Sequence, residues 1–187
     1  CYDDFGSIWL DAHGDINTGE TSPSGNIHGM PLSALMGLGS EELVNVYSPG
    51  NKVIPQNVFL VGTRSLDDGE SDLIKEQQLS VYTMDTIRDK GMEFVAEDIK
   101  NKLRDRKIRN VHFSIDVDSI DPGFAPGTGT RVPEGLTPDE FKEFVRHMLS
   151  TNLIKSLDLV ELNPDFDTDD ITTKLCLSVI DYITSRL

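Results

Sequence analysis

Cysteine is scarce in this sequence, long apolar runs are absent, and basic residues are greatly outnumbered. The cysteines, Cys1 and Cys176, are too few and too far apart for a disulfide framework, which fits a reducing cytoplasm. No apolar run approaches the roughly 20 residues of a transmembrane helix, and no signal peptide is evident, so we expect no membrane association. The 17 Lys and Arg against 32 Asp and Glu give a net charge of -15, which argues against nucleic acid as a partner.

The composition is otherwise that of a single folded domain. Hydrophobic residues make up 37% of the chain and charged residues 26%, which is ordinary for a globular protein. A chain of 187 residues is long enough to bury a sizeable core. We therefore expect one domain over residues 1–187. The acidic balance also favours a cation or a cationic substrate, although acidic surfaces commonly serve only solubility.

Strand-like and helix-like segments alternate along the whole chain. Apolar, β-rich runs occupy residues 8–10, 58–61, 81–84, 111–115 and 157–162, and helical patterns occupy residues 31–38, 72–77, 86–106, 137–149 and 169–185. Such repeated βα units predict a three-layer α/β/α fold with a mostly parallel sheet. Two long loops rich in Gly, Pro, Ser and Thr, at residues 16–29 and 119–135, follow strands. They should meet at the edge of the sheet where ligands of such folds bind.

Carboxylates at alternate positions follow two of the predicted strands. Asp11, His13 and Asp15 come after one apolar run, and Asp116 and Asp118 end another. Side chains at alternate positions of an extended backbone point to the same side, so each set should converge. Buried carboxylates would repel one another severely without a positive charge among them. The pattern therefore predicts a metal site.

The donor types indicate which metal binds and how many ions there are. Carboxylate oxygens with one imidazole and no thiolate favour Mn²⁺ over Zn²⁺. Four carboxylates are more than one compact divalent ion needs, and they suit two ions that share bridging carboxylates. Two ions roughly 3.5–4 Å apart can lower the pKa of a shared water, which makes hydroxide available at neutral pH. The competing interpretation is that these aspartates are helix caps and turn formers.

Three segments resemble those of a known family. Residues 11–17 read DAHGDIN, residues 24–31 read SGNIHGMP and residues 114–122 read SIDVDSIDP. Together they resemble signature segments of the ureohydrolases, and SGNIHG is similar to the arginase type rather than the agmatinase type. The resemblance covers nearly the whole chain. It implies a parallel α/β fold, two Mn²⁺ ions with a bridging hydroxide, hydrolysis of L-arginine to L-ornithine and urea, and a homotrimer or homohexamer.

The resemblance also implies roles for the metal-site residues. Asp11 and Asp116 would bridge the two ions, His13 and Asp118 would bind one ion, and Asp15 would bind the other.

Catalytic and substrate-binding roles follow from the same resemblance. His28 would transfer a proton to the leaving amine, and Glu161 would lie near the guanidinium group. The substrate-binding residues would be Asn17, Ser22, Ser24 and Asn26 for the α-carboxylate, Asp67 and Glu70 for the α-amino group, and Thr130 along the pocket. For Asp67 and Glu70 the alternative is an acidic helix N-terminus, and for Thr130 it is an ordinary turn.

One segment of the family does not occur in this sequence. It reads Gly-Gly-Asp-His, and it would supply a histidine to the ion that Asp15 binds. The chain begins near the second family motif, so we expect an N-terminally truncated domain without the leading strands of the sheet. On these residues alone, one ion would bind weakly or not at all, and there would be little or no activity.

Three functions stay open on the sequence alone. The leading hypothesis is an arginase-type hydrolase. A second is hydrolysis of agmatine or another guanidino compound, because residues 125–130, APGTGT, are as similar to agmatinases as to arginases. A third is an inactive metal-binding fragment of such an enzyme.

Overall fold

A parallel β-sheet runs through the protein in a computed structural model that describes residues 4–185. Its strands are β1 (Phe5–Leu10), β2 (Val58–Thr63), β3 (Ser80–Thr83), β4 (Asn110–Asp116) and β5 (Ile154–Val160). Neighbouring strands pair in the order β3-β2-β1-β4-β5, and all four pairings are parallel. The predicted parallel α/β arrangement is confirmed.

Helices connect the strands and cover the sheet. They are α1 (Pro31–Leu35), α2 (Glu41–Val44), α3 (Asp68–Gln77), α4 (Met84–Lys90), α5 (Met92–Asp105), α6 (Pro138–Leu149) and α7 (Ile171–Thr184). Short 3-10 helices lie at Ile27–Gly29, Pro55–Asn57, Val117–Ser119 and Pro164–Phe166. Within residues 4–185, none of these helices has the length and apolar character that crossing a membrane would need.

The alternation of side chains on each strand builds a core on both faces of the sheet. On β1, Ile8 and Leu10 join a cluster with residues of α4, α5, α6 and α7. Trp9, between them, joins a second cluster that includes Leu32 of α1 and Leu73 of α3. The two clusters give the three-layer arrangement that the sequence predicts.

The predicted helix over residues 86–106 is wrong in one respect, because it is two helices. Gly91 has φ +86° and ends α4, and α5 begins at the next residue. A residue with such a φ leaves the helical conformation, and glycine adopts it without a Cβ clash. The pattern of apolar residues continues through the break, which is why periodicity alone did not reveal it.

The last strand also differs from its predicted bounds. β5 covers Ile154–Val160, so it starts earlier than residues 157–162 and ends before Glu161. Glu161 has φ +64°, a left-handed conformation that a strand does not accommodate. The chain therefore turns at Glu161.

Helix α7 is capped from outside its own first turn. Asp170, the residue before the helix, makes no side-chain cap. The carboxylate of Asp167 instead accepts hydrogen bonds from the backbone N–H groups of Thr172 at 3.0 Å and Thr173 at 2.8 Å. Burial alone would raise the pKa of Asp167, but these bonds outweigh it and lower the pKa to about 2.

Replacing Asp167 with alanine is expected to lower the free energy of unfolding by about 1 kcal/mol at neutral pH, the usual loss for a removed cap. Because the folded pKa lies below the unfolded value of about 3.9, this contribution is complete above about pH 4. It is lost as the pH falls toward 2. Urea unfolding of both proteins at several pH values measures the difference, with Asp165→Ala as the control at an exposed neighbour. A difference that persisted unchanged at pH 2 would contradict the capping role.

Candidate metal centre

Three side chains at the carboxyl ends of β1 and β4 form a compact set of metal donors. Asp11, His13 and Asp118 each offer one ligand atom, and these atoms all lie within 4.8 Å of one another. The Nδ1 atom of His13 is 3.0 Å from Asp118 Oδ2 and 3.4 Å from Asp11 Oδ1. Asp11 and Asp118 are each 1% exposed. Within residues 4–185, no other group of His, Cys, Asp or Glu forms such a set.

Tight turns, rather than extended strands, bring these groups together. β1 ends at Leu10 and β4 at Asp116, and a 3-10 helix covers Val117–Ser119. The Oδ1 atom of Asp11 accepts the backbone N–H of His13 at 2.7 Å. Asp116 Oδ1 accepts the N–H of Asp118 at the same distance. Asp11 and His13 thus meet Asp118, whereas Asp15 and Asp116 stand outside this set of three donors. Turns, and not the continuous extended backbone that we expected, produce the arrangement.

Hydrogen bonds between the two turns hold the carboxylates in place. The backbone N–H of Ala12 donates to Asp118 Oδ1 at 3.2 Å, and the Thr130 hydroxyl donates to Asp118 Oδ2 at 2.9 Å. The indole N–H of Trp9 donates to Asp11 Oδ2 at 3.1 Å. Both carboxylates are thus oriented by neighbours that are not themselves metal donors.

The remaining two predicted ligands border the same cluster. Burial raises the pKa of Asp116 to about 10, and the carboxylates of Asp11 and Asp118 add to the effect. Burial and the Asp11 carboxylate likewise raise the pKa of Asp15 to about 8. Asp15 has φ +53°, a conformation in which aspartate is more common than most residues. Both shifts show that burial first, and the neighbouring carboxylates second, disfavour the ionised form of these side chains.

The imidazole offsets only part of this effect. Burial alone would lower the pKa of His13, but hydrogen bonds to Asp11 and Asp118 raise it to about 10. Burial likewise favours the neutral form of Asp118, and His13 outweighs it, so that the pKa of Asp118 falls. For Asp11 burial dominates and raises the pKa to about 6.

The cluster fits a hard divalent cation. Its donors are carboxylate oxygens with one imidazole nitrogen, a set suited to Mn²⁺, and the Oδ and Nδ1 atoms already face one another. A cation among them would favour the ionised carboxylates, which burial and mutual repulsion disfavour in Asp11, Asp15 and Asp116. The residues present therefore fit a metal ion, and the carboxylates of Asp15 and Asp116, which border the same cavity, could bind a second one.

A cavity of about 430 Å³ opens above the cluster. Ten of the predicted site residues line it: His13, Asp15, Asn17, His28, Asp67, Glu70, Asp116, Asp118, Thr130 and Glu161. Asp11 lies beneath the surface. Ser22, Ser24 and Asn26 do not line the cavity, and they lie on the loop between Asn17 and His28, where the Ser22 hydroxyl accepts the N–H of Gly25 at 3.0 Å.

Asp67 and Glu70 are engaged in the structure of the helix that they begin. Asp67 caps α3, and the two side chains form a reciprocal capping box. Asp67 also accepts a hydrogen bond from the Asn17 amide at 2.8 Å, and Glu70 is 5% exposed. The acidic helix N-terminus that we considered is thus present, and both residues still border the cavity.

His28 and Glu161 lie on two different loops that border the cavity. His28 is exposed and belongs to the 3-10 helix Ile27–Gly29. Glu161 is exposed and follows β5, where its left-handed backbone turns the chain away from the strand direction. The cavity therefore has an imidazole and a carboxylate on its walls.

Several residues border the cavity although the sequence offers no reason to place them in the site. They include Trp9, Ser65, Ser114 and Asp158. Trp9 is two positions before Asp11, so the alternation that grouped Asp11 with His13 could have included it. Asp158 accepts from His112 across the β4–β5 pair, with 3.3 Å between the carboxylate and Nε2. That contact depends on strand register and has no local signal.

A parallel sheet with aspartates and a histidine clustered at the carboxyl ends of its strands defines an α/β protein with a candidate metal site. The arginase family profile matches residues 1–185. The chain belongs to the arginase family.

Individual relatives agree with this assignment. The arginase of Bacillus subtilis is 43% identical over 185 residues, 99% of this chain and 62% of that protein. Among solved structures, the arginase of Bacillus caldovelox superimposes with a TM-score of 0.94 at 41% identity, over 97% of this chain and 60% of that one. The arginase of Entamoeba histolytica in complex with L-ornithine gives a TM-score of 0.90 at 39% identity, over 96% of this chain and 60% of that one. The chain thus spans about three fifths of the length of the relatives that it matches.

Proposed function

We propose that this chain carries the metal-binding and substrate-binding parts of an arginase, which hydrolyses L-arginine to L-ornithine and urea with two Mn²⁺ ions. One observation carries the proposal. The donor atoms of Asp11, His13 and Asp118 lie within 4.8 Å of one another, at the base of a cavity that His28 and Glu161 also line. A cation site below a cavity with acidic walls suits a guanidinium substrate.

The five predicted ligands divide between the ions by their positions in the family motifs. Asp11 and Asp116 would hold both ions, His13 and Asp118 would hold one of them, and Asp15 would hold the other. When bound, the metal pair supplies activated water at neutral pH. Trp9 and Thr130 orient the carboxylates of Asp11 and Asp118 through the hydrogen bonds described above, as partners of metal ligands commonly do.

The remaining residues bind the substrate and move a proton. Glu161 pairs with the guanidinium group, whose charge is complementary, and Asn17 with the loop of Ser22, Ser24 and Asn26 binds the α-carboxylate. The reaction would add the oxygen of water to the guanidinium carbon and break the bond from that carbon to the side-chain nitrogen, which releases urea and the amine. His28 at the cavity wall delivers the proton that the leaving amine needs. The L-ornithine bound by the Entamoeba relative, which is the product of this reaction, supports the choice of substrate.

Urea release from L-arginine and from agmatine, measured side by side with added Mn²⁺, tests the substrate. We expect turnover of L-arginine, with agmatine poor or inert because it lacks the α-carboxylate that the loop binds. Turnover of agmatine alone would replace the arginase proposal with an agmatinase-type activity.

Asn26→Ala sharpens the same test at an exposed loop residue. A lost hydrogen bond to a charged group costs about 1.5–3 kcal/mol, so KM for L-arginine should rise by at least about tenfold. The rate with agmatine should not change. Equal effects on both substrates would show that Asn26 does not recognise the α-carboxylate.

A second candidate is binding of one ion without urea release. Its support is that one group of three donors is assembled within residues 4–185. Elemental analysis separates the two candidates, since two Mn²⁺ per chain favour the dinuclear enzyme and one favours the inactive form.

Three further expectations belong to the proposal and rest on the sequence. They are a single domain over residues 1–187, a homotrimer or homohexamer, and a location in the cytoplasm. Light scattering after gel filtration measures the oligomeric state.

A further inference from the structure

Arg64, the first residue after β2, places its guanidinium group between two loops at the carboxyl edge of the sheet. It donates only to backbone carbonyl groups. The acceptors are Asp118 O at 2.8 Å and Val132 O at 2.7 Å from Nη2, Pro133 O at 2.9 Å from Nε, and Gly62 O and Ser119 O, each at 3.3 Å from Nη1. Each N–H of the planar group therefore faces a carbonyl oxygen.

The backbone of Arg64 reaches the other turn of the metal centre. Its N–H donates to the carbonyl of Ala12 at 2.9 Å, and Ala12 lies between Asp11 and His13. Through its side chain the same residue holds the carbonyl of Asp118. Arg64 thus connects the turn after β1 with the turn after β4. Its side chain is not among those that line the cavity.

Arg64 also fixes both ends of the loop over residues 119–135. Ser119 begins this loop, and Val132 and Pro133 are near its end. The loop carries Thr130, whose hydroxyl donates to Asp118 Oδ2 at 2.9 Å. The loop is closed at its base by the hydrogen bond from Leu136 N to Ser119 O at 3.0 Å. Arg64 therefore determines where Thr130 stands relative to Asp118.

Gly135 makes room for this arrangement. A Cβ atom at Gly135 would lie 2.6 Å from Arg64 Nη2 and 2.5 Å from the backbone nitrogen of Asp121. Real Cβ atoms do not approach so closely, so the loop packs on the guanidinium only with glycine at this position. The absence of a side chain at position 135 thus leaves the space that the Arg64 guanidinium occupies.

We propose that Arg64 is a positioning residue for the metal centre, which sets the place of Asp118 and of the Thr130 loop through its fork of carbonyl contacts. The inference rests on the proposed metal function. The geometry of the fork is what matters, because lysine keeps the charge but presents its donors from one tetrahedral nitrogen and cannot reach carbonyls arranged around a plane.

Arg64→Lys and Arg64→Met test the proposal, with Arg109→Lys as the matched control. The Arg109 side chain is 80% exposed and lies at the opposite ends of the strands, beside β4's first residue. Calorimetric titration of the metal-free protein with Mn²⁺ measures affinity. We expect a loss of roughly 10–100-fold in both Arg64 variants, as for other groups that support metal ligands, and no change in the control.

Hydrogen exchange of the metal-free proteins distinguishes local positioning from a general loss of stability. Faster exchange should be confined to amides of residues 11–13 and 117–136, and those of α5 and α6 should exchange as in the wild type. Arg64→Lys is the decisive variant because it removes the least volume and keeps the charge.

The possible outcomes distinguish a failure of the Arg64 positioning role from a failure of the proposed metal function. Wild-type Mn²⁺ affinity in Arg64→Lys would overturn the geometric role while leaving the metal function in place. Faster exchange throughout the protein would likewise overturn it, since Arg64 would then be a general structural residue. A wild-type protein that binds no Mn²⁺ would overturn the proposed function and this inference with it.

Discussion

Replacing Asp116 with alanine is expected to abolish urea release from L-arginine, with kcat/KM reduced by roughly a thousandfold or more. The proposed role of Asp116 is to bridge both ions. A metal ion contributes several kcal/mol to the stabilisation of transition-state charge, and each 1.36 kcal/mol corresponds to about a factor of ten in rate. A coupled urea assay with L-arginine at saturating Mn²⁺ measures the loss.

Asp116→Asn separates the metal role from the local structure. Its Oδ1 can still accept the N–H of Asp118, which lies at 2.7 Å, so the turn after β4 should remain. The variant should nevertheless be as inactive as the alanine variant, because the bridging charge is gone. An asparagine variant with wild-type activity would contradict the dinuclear mechanism. Asp105→Asn is the control, since the Asp105 side chain is 75% exposed.

Asp116→Asn should be more stable than the wild type when no metal is bound. Asp116 lies among the carboxylates of Asp11 and Asp118, and all three act on one another through their charges. Burial and these charges raise the pKa of Asp116 to about 10, so this carboxyl takes up a proton on folding at neutral pH, and asparagine removes that cost. Each kcal/mol gained raises the unfolding midpoint by about 2–4 °C in a chain of this size. Opposite effects on stability and activity are the result expected of a charge cluster built for a cation.

Adding Mn²⁺ to the metal-free protein is expected to raise its unfolding midpoint by about 5–11 °C. At a free concentration of about 100 times Kd, a ligand that binds only the folded state stabilises it by about 2.7 kcal/mol. In a chain of this length each kcal/mol shifts the midpoint by about 2–4 °C. Scanning calorimetry over a series of Mn²⁺ concentrations measures the shift, and excess chelator should reverse it.

Two further observations make this test specific. Asp11→Asn should lose most of the shift, because it removes a ligand, whereas Asp105→Asn should keep it. The chain contains a single tryptophan, Trp9, whose indole donates to Asp11, so its fluorescence should change over the same Mn²⁺ concentrations. A midpoint that does not depend on Mn²⁺ concentration would contradict a metal site in the folded protein.

Local patterns in the sequence were sufficient for most of the fold. The helical pattern predicted over residues 137–149 corresponds to α6 (Pro138–Leu149), whose capping box joins Thr137 and Glu140, three positions apart in the chain. Helix breaks were harder to predict, as at Gly91, since a glycine within an apolar pattern is compatible with either one helix or two.

The candidate site was likewise predicted only in part from the sequence. Asp11, His13 and Asp118 were predicted, together with Asp116, to hold one ion, and the donor atoms of the first three lie within 4.8 Å of one another. The sequence did not indicate that Asp67 and Glu70 would be engaged with each other in a capping box while also bordering the cavity. It also did not indicate the indole bond to Asp11. A residue type and a spacing show what a side chain can do, but not which of several partners it meets.

The sequence by itself determined the family, the parallel α/β class and the candidate donors of the proposed metal site, because each depends on residues that are close together in the chain or on motifs that can be read directly. Only the tertiary structure decided how the donors meet. The contact of Ala12 with Asp118 spans 106 positions, and that of Arg64 with Val132 spans 68. Contacts of this kind exist only after β1, β2 and β4 have paired in one register, since it is the pairing that brings their ends together.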